Sequence, residues 1–184
     1  MTRIELVGSF LDIDPKVDIK ARNIQLLCID IENVLTDYDI PQILPGIADH
    51  LENMQSVNNG TQIVLVTNKT NPEFIENVVS QLPGDIDYLY PNKALGLKRK
   101  PSPDMFRYAL GKSGVLPIHA AHIDDQVKAW WGLSKAEFGT FFWTEPVGQF
   151  QHPRVKNLRP IEFGIIRPIV TISTNIREMR AGDW

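Results

Sequence analysis

Four short groups of polar residues carry the chemistry this sequence could perform. Asp30 ends the apolar run "NIQLLCID", and Glu32 follows two positions later. Thr67 and Asn68 end "TQIVLVTN". Lys98, Arg99 and Lys100 precede Pro101, and Asp124 and Asp125 close "HAAHIDD". A carboxylate can attack phosphorus and form an aspartyl-phosphate. Several acids at one point repel unless a cation sits among them, and hard oxygen ligands suit Mg²⁺. A hydroxyl, backbone N–H groups and a lysine can hold phosphoryl oxygens, where negative charge must be stabilised. A second acid beside the nucleophile can protonate the leaving oxygen and later activate water. Each group also has a plainer reading, since acids and hydroxyls at strand ends often cap turns and helices.

These residues share a site only if the chain folds so that the ends of its strands converge. The pattern predicts that it does. "NIQLLCID" (23–30) and "TQIVLVTN" (61–68) are short and apolar on both faces, as buried parallel strands are. Between them, Ile47, Leu51, Met54 and Val57 recur at helical spacing after Pro45. "NPEFIENVVSQL" (71–82) has an Asn cap and Pro72 in its first turn. "IDYLY" (86–90) is a short strand. "SPDMFRYALGKSG" (102–114) reads as a helix capped by Ser102 and ended by Gly114. "HAAHID" (119–124) is a fourth strand, followed by a helix to about residue 137, and "GTFFWTE" (139–145) is a fifth. The alternation predicts an α/β fold with a mostly parallel central sheet and helices on both faces. In such sheets ligands bind beyond the carboxyl ends of the strands. Residues 1–22 read as an N-terminal extension to a core of about 20–150, and the Pro- and Arg-richer tail as part of one 184-residue domain.

Composition sets outer bounds. Hydrophobic residues make up 43% of the chain, enough for a sizeable core, and 19 basic against 22 acidic residues give a net charge of -3. That balance argues against a general nucleic-acid binder, which would carry a basic surplus. Cys28 is the single cysteine and cannot form an internal disulfide, so a reducing compartment is the expectation. No run approaches the roughly 20 apolar residues that span a bilayer. A cytoplasmic protein is expected, with peripheral contact at the inner membrane face as a further option. Arg154, Lys156, Arg159 and Arg167 could serve such contact, and "GIIRPIVTI" reads as a strand or packing segment. His119 and His122 lack the spacing of a metal pair on one helix face and read as packing or surface residues. Trp130 and Trp131 read as a cover for the sheet or an interface.

The order of the four groups resembles the haloacid dehalogenase (HAD) superfamily of phosphatases. Asp30-Ile31-Glu32-Asn33-Val34-Leu35 is similar to its first motif, hhhDxDxTL. "VLVTN" is similar to the second, Lys100-Pro101 to the third and "HIDDQ" to the fourth. "DYDIP", "KRKPSPDMFRYAL" and "DDQ" resemble the class IIIA branch typified by YqeG and phosphatidylglycerophosphate phosphatases. The resemblance implies a HAD-like Rossmannoid fold, Mg²⁺ as cofactor and a phosphorylated substrate. It implies that Asp30 is nucleophile and metal ligand. Glu32 would supply a main-chain carbonyl to the metal and an acid/base side chain. Thr67, Asn68 and Lys100 would bind phosphate, and Asp125, with Asp124, would hold the metal. The intervals between motifs are used up by sheet and helix. They leave no room for a large cap domain, which suits bulky substrates such as lipid head groups.

The chain departs from the pattern in three places. Glu32 stands where Asp is usual, Val34 where Thr is usual, and Asp124 where the branch has Gly, with Trp130 or Trp131 at the position of a later Asp. The main expectation is a phosphomonoester phosphatase acting on phosphatidylglycerophosphate-like lipid. The alternatives are a soluble sugar-phosphate or nucleotide phosphatase and a catalytically degenerate binding or scaffold protein. A receiver domain uses similar groups but places its acid pair after the first strand, whereas here the pair follows the lysine.

Overall fold

The computed structural model describes residues 2–57, 60–84 and 86–147. Six strands form one sheet: β1 (Arg3–Val7), β2 (Leu26–Ile29), β3 (Gln62–Val66), β4 (Asp87–Leu89), β5 (Ala120–Asp124) and β6 (Thr140–Thr144). Their order is β1-β6-β5-β2-β3-β4, and every pairing is parallel. The helices are α1 (Ile47–Val57), α2 (Pro72–Val79), α3 (Asp104–Ser113) and α4 (Ala129–Lys135). This is the expected α/β architecture. Among the described residues, α1 alone lies between β2 and β3 and α2 alone between β3 and β4, with no cap domain inserted there.

The two faces of the sheet are sealed by different elements. Leu27, Ile29, Ile63, Leu65 and Phe142 pack with Leu51 and Met54 of α1 and with Phe74, Ile75 and Val78 of α2. Leu26, Cys28, Val64, Val66 and Phe141 pack on the other face with Met105 and Phe106 of α3 and Leu133 of α4. The alternation along each strand divides neighbouring residues between these cores. Burying each large apolar side chain contributes about 1.5–3 kcal/mol, which is what holds the helices to the sheet. Among the described residues, no helix is long and apolar enough to cross a membrane.

Two expectations are corrected. Residues 3–7 are an edge strand of the sheet, paired with β6 from Arg3↔Thr140 to Val7↔Thr144. The chain after it turns through Phe10, Ile13 and Ile19, which are fully buried in the core shared with α1. Ser102 does not cap α3. The helix begins at Asp104 after Pro103, and the Ser102 hydroxyl donates to the Asp104 carboxylate at 2.8 Å. Gly114 does end that helix, at φ +69° in the left-handed region that favours glycine. Asn71 caps α2 as expected. The basic tail residues and "GIIRPIVTI" lie outside the described residues.

Candidate active site

Strand order determines where the functional side chains meet. From β2 the chain passes to β3 on one side, while β5 lies on the other. The carboxyl ends of β2 and β5 therefore flank a switch point, where doubly wound sheets open a crevice. The register Ile29↔Ile123 sets Asp30 next to Asp124, and the Asp30 N–H donates to the Ile123 carbonyl at 2.9 Å. A cavity of about 580 Å³ opens there, and Asp30, Glu32, Thr67, Asn68, Lys100 and Asp124 all line it.

Lys100 is the hub. Its Nζ lies 2.9 Å from Asp30 Oδ1 and 2.7 Å from Asp124 Oδ2, and all three side chains are buried. Lys98 is exposed, so the choice between the two lysines is made by burial. Asn68 clamps the lysine's main chain: its Oδ1 accepts from Lys100 N at 2.7 Å and its Nδ2 donates to Lys100 O at 3.2 Å. From the other side, α4 presses on this loop without a side chain. A Cβ at Gly132 would stand 2.6 Å from the Pro101 carbonyl oxygen.

The charges at this point are unequal in character. Burial pushes the Asp30 carboxyl up to about 7 against the pull of Lys100, and Asp124 adds to the rise. Burial also works to raise Asp124, but Lys100 and His122 outweigh it and hold that carboxyl well below the usual range. Burial works to lower Lys100, and the two aspartates outweigh it, so the ammonium is held above its ordinary value. Asp30, Asp124 and Asp125 each offer an oxygen, all within 4.8 Å of one another. One small cation can bridge that spacing.

Thr67 is buried, and its hydroxyl accepts from Lys69 N at 3.0 Å. Glu32 lines the same cavity but is engaged by other partners. Its Oε1 accepts from Asp39 N at 3.0 Å and pairs with Lys69 Nζ at 3.1 Å. Lys69 also pairs with Asp39 and lies over the Phe74 ring, 4.3 Å from its centroid.

Sequence reasoning missed two of these participants. Lys69 follows Thr67 and Asn68 directly, and the rule that chemistry gathers just beyond strand ends could have found it. His122 was read as packing or surface, yet its fully buried ring holds Asp124 Oδ2 at 3.0 Å and the Cys28 carbonyl at 3.0 Å. Both partners are oxygen acceptors, and a neutral imidazole donates only one hydrogen bond. Burial outweighs the neighbouring Asp124 and holds the ring below its ordinary pKa, so the tautomer decides which ring nitrogen donates. His119 is partly exposed beside Asn23. Trp130 is partly buried against the core, whereas Trp131 is 64% exposed.

No family model and no curated protein matches the chain. Solved structures share parts of its course. A candidate phosphoglycolate phosphatase from Lactobacillus delbrueckii subsp. bulgaricus is 28% identical over 54% of this chain and 41% of that one, with a TM-score of 0.46. The chain thus spans less than half of that protein's length. A HAD family hydrolase from Deinococcus radiodurans, solved with phosphate and sodium, is 16% identical over 72% of this chain and 85% of that one, at TM-score 0.47. The core domain of a candidate phosphoglycolate phosphatase from Streptococcus pneumoniae is 19% identical over 75% and 95%, at TM-score 0.47.

Proposed function

We propose that this protein is a HAD-type phosphomonoester phosphatase that works through an aspartyl-phosphate on Asp30. The observation that carries the reading is the meeting of Asp30, Lys100 and the Asp124–Asp125 pair at the switch point, in the order along the chain that the four motifs require. The Asp30 Oδ1 accepts from Ile31 N and pairs with Lys100, both at 2.9 Å. Oδ2 is then the oxygen that attacks phosphorus as the bond to the leaving oxygen breaks. Lys100 and Thr67 hold the phosphoryl oxygens as charge develops on them. Glu32 gives its proton to the leaving oxygen, then takes one from the water that attacks the aspartyl-phosphate. That second step releases inorganic phosphate and restores the Asp30 carboxylate.

The acid cluster fits a hard divalent cation such as Mg²⁺. Asp30, Asp125 and the main-chain carbonyl of Glu32 would hold it, beside the Asp124 carboxylate that pairs with Lys100. When bound, it would neutralise charge on the phosphoryl group.

A crevice without an inserted cap supports bulky substrates, of which a phosphatidylglycerophosphate-like lipid met at a membrane face is the one we favour. Soluble sugar phosphates and nucleotides are the competitors. The engagement of Glu32 by Lys69 and Asp39 favours a second reading, a binding protein with slowed or lost turnover. Phosphate release from lipid, sugar and nucleotide phosphates, with and without Mg²⁺, separates them. Mg²⁺-dependent release that vanishes in Asp30→Asn is expected. Release that persists in that variant overturns the nucleophile, and no release from any substrate supports the binding reading.

A further inference from the structure

We propose that His122 is a positioning residue: it locks the Asp124 carboxylate so that Asp124 serves as the anchor of Lys100 and not as a cation ligand. Use of Lys100 on phosphate rests on the function proposed above, but the contact network does not.

The oxygens of Asp124 are taken by the protein itself. Oδ2 accepts from Lys100 Nζ at 2.7 Å and from His122 Nε2 at 3.0 Å. Oδ1 accepts from Gln126 N at 2.7 Å. A carboxylate with three donors, two of them on one oxygen, has a fixed plane and little left for a cation. Gln126 alone would let the group turn about its terminal torsion, which is broad for Asp. The second donor on Oδ2 closes that freedom.

His122 is itself held against rotation. Nδ1 bonds the Cys28 carbonyl on β2 at 3.0 Å. The ring lies edge-on to Phe106, with centroids 4.9 Å apart, and stacks on Phe141 at 6.2 Å with 19° between planes. The other strand residues nearest it in sequence, Ala120, Ala121 and Ile123, are apolar and buried. A packing residue at this depth would also be apolar, because a buried imidazole is costly unless both nitrogens are satisfied. Here the satisfaction runs toward the site. The chain β2 carbonyl, His122, Asp124, Lys100, Asp30 transmits the rigidity of the sheet to the ammonium beside Asp30.

Two variants test this. His122→Phe fits the aromatic surroundings and removes the donor, while His122→Gln restores an amide donor to Asp124. The first readout is the ¹H–¹⁵N signal of the Lys100 ammonium, identified by its loss in Lys100→Met. Tungstate, a phosphate mimic, is the second probe, and Mg²⁺ the third. In His122→Phe the ammonium signal is expected to broaden or shift, and tungstate to bind about tenfold more weakly, the scale of one lost charge-assisted hydrogen bond. Mg²⁺ is expected to bind as well or better, since Asp124 is freed. His122→Gln should recover the signal and the tungstate affinity to within about threefold. If His122→Phe lowers only the melting temperature, the residue is packing and the proposal fails. If it does not fold, His122→Asn takes its place: the shorter amide cannot reach, so Asn behaving like Gln overturns the proposal. A wild type that binds no tungstate overturns the phosphatase reading, and the Lys100 signal still decides the role of His122.

Discussion

Lys100 meets Asp124 with Nζ 2.7 Å from Oδ2, both side chains buried, and the same ammonium lies 2.9 Å from Asp30. One cation therefore pairs with two acids. Lys100→Met should destabilise the protein by about 3–5 kcal/mol at pH 8, because breaking a buried pair strands its partners. Without the ammonium, burial raises both carboxyls, so the folded state takes up more protons than the unfolded one and stability falls as pH rises. The penalty should thus shrink at pH 5. Urea denaturation at the two pH values measures it, and a penalty that grows on acidification would contradict the pairing.

Asp30 makes its own stability prediction. Its carboxyl rises from an ordinary 3.8 to about 7 in the folded protein. Between those values the folded state binds the extra proton, so the metal-free protein loses stability as pH climbs from about 4 to about 7. Asp30→Asn should flatten that decline and be more stable than wild type at pH 8 by about 1–3 kcal/mol, while phosphate release is abolished. Thermal melts without divalent ions across pH 5–8 test the slope. A steeper decline in the variant would refute it.

Glu32 is the residue to probe with leaving groups. If it donates a proton to the leaving oxygen, Glu32→Gln should cost about 10²–10⁴ in kcat on alkyl phosphates, whose alkoxides need that proton. On p-nitrophenyl phosphate the first step needs no proton, so formation of the aspartyl-phosphate, read as the burst of p-nitrophenol, should lose much less than on alkyl phosphates. Equal losses in that first step would assign Glu32 to the Lys69 and Asp39 contacts and not to protonation of the leaving oxygen.

Gly132 gives a prediction at a distance from the acids. A methyl there would meet the Pro101 carbonyl at 2.6 Å and the Phe106 ring at 3.1 Å. The carbonyl is backbone and yields only if the loop shifts. Gly132→Ala should cost about 1–3 kcal/mol by overpacking and weaken tungstate binding through displacement of Lys100. A melting temperature and tungstate affinity equal to wild type would show that the loop has slack.

Much of the site was legible because parallel sheets convert sequence into position. An apolar run that ends in Asp30 or Asp124 must deliver that acid to the carboxyl edge, and burial of the run does the rest. Lys100 was legible through its neighbour Pro101. What could not be read depends on contacts between distant segments. "RIELV" pairs with β6 at the far end of the described chain, and its half-buried residues carry no continuous apolar signal. His122 owes its role to a carbonyl on the neighbouring strand, which no local pattern reports. Ser102 looked like a cap, but the helix starts two residues later and the hydroxyl turns to Asp104 instead.

The pairing of β1 with β6 also bears on how the molecule assembles. In the sheet, β6 is inserted between β1 and β5. β1 is synthesised well before its neighbour and is thus late to find its place, since β6 is complete only at Thr144. Until then β5 presents an open edge, the kind of surface that recruits stray strands. β6 closes that edge, but the pairings that join β5 to β2 and β6 to β1, such as Leu26↔Ala120 and Arg3↔Thr140, bring together remote parts of the chain and form slowly. The half of the sheet that carries Asp124 should therefore be the late-forming and aggregation-exposed half during synthesis, while β2 and β3, joined through a single helix, can pair early.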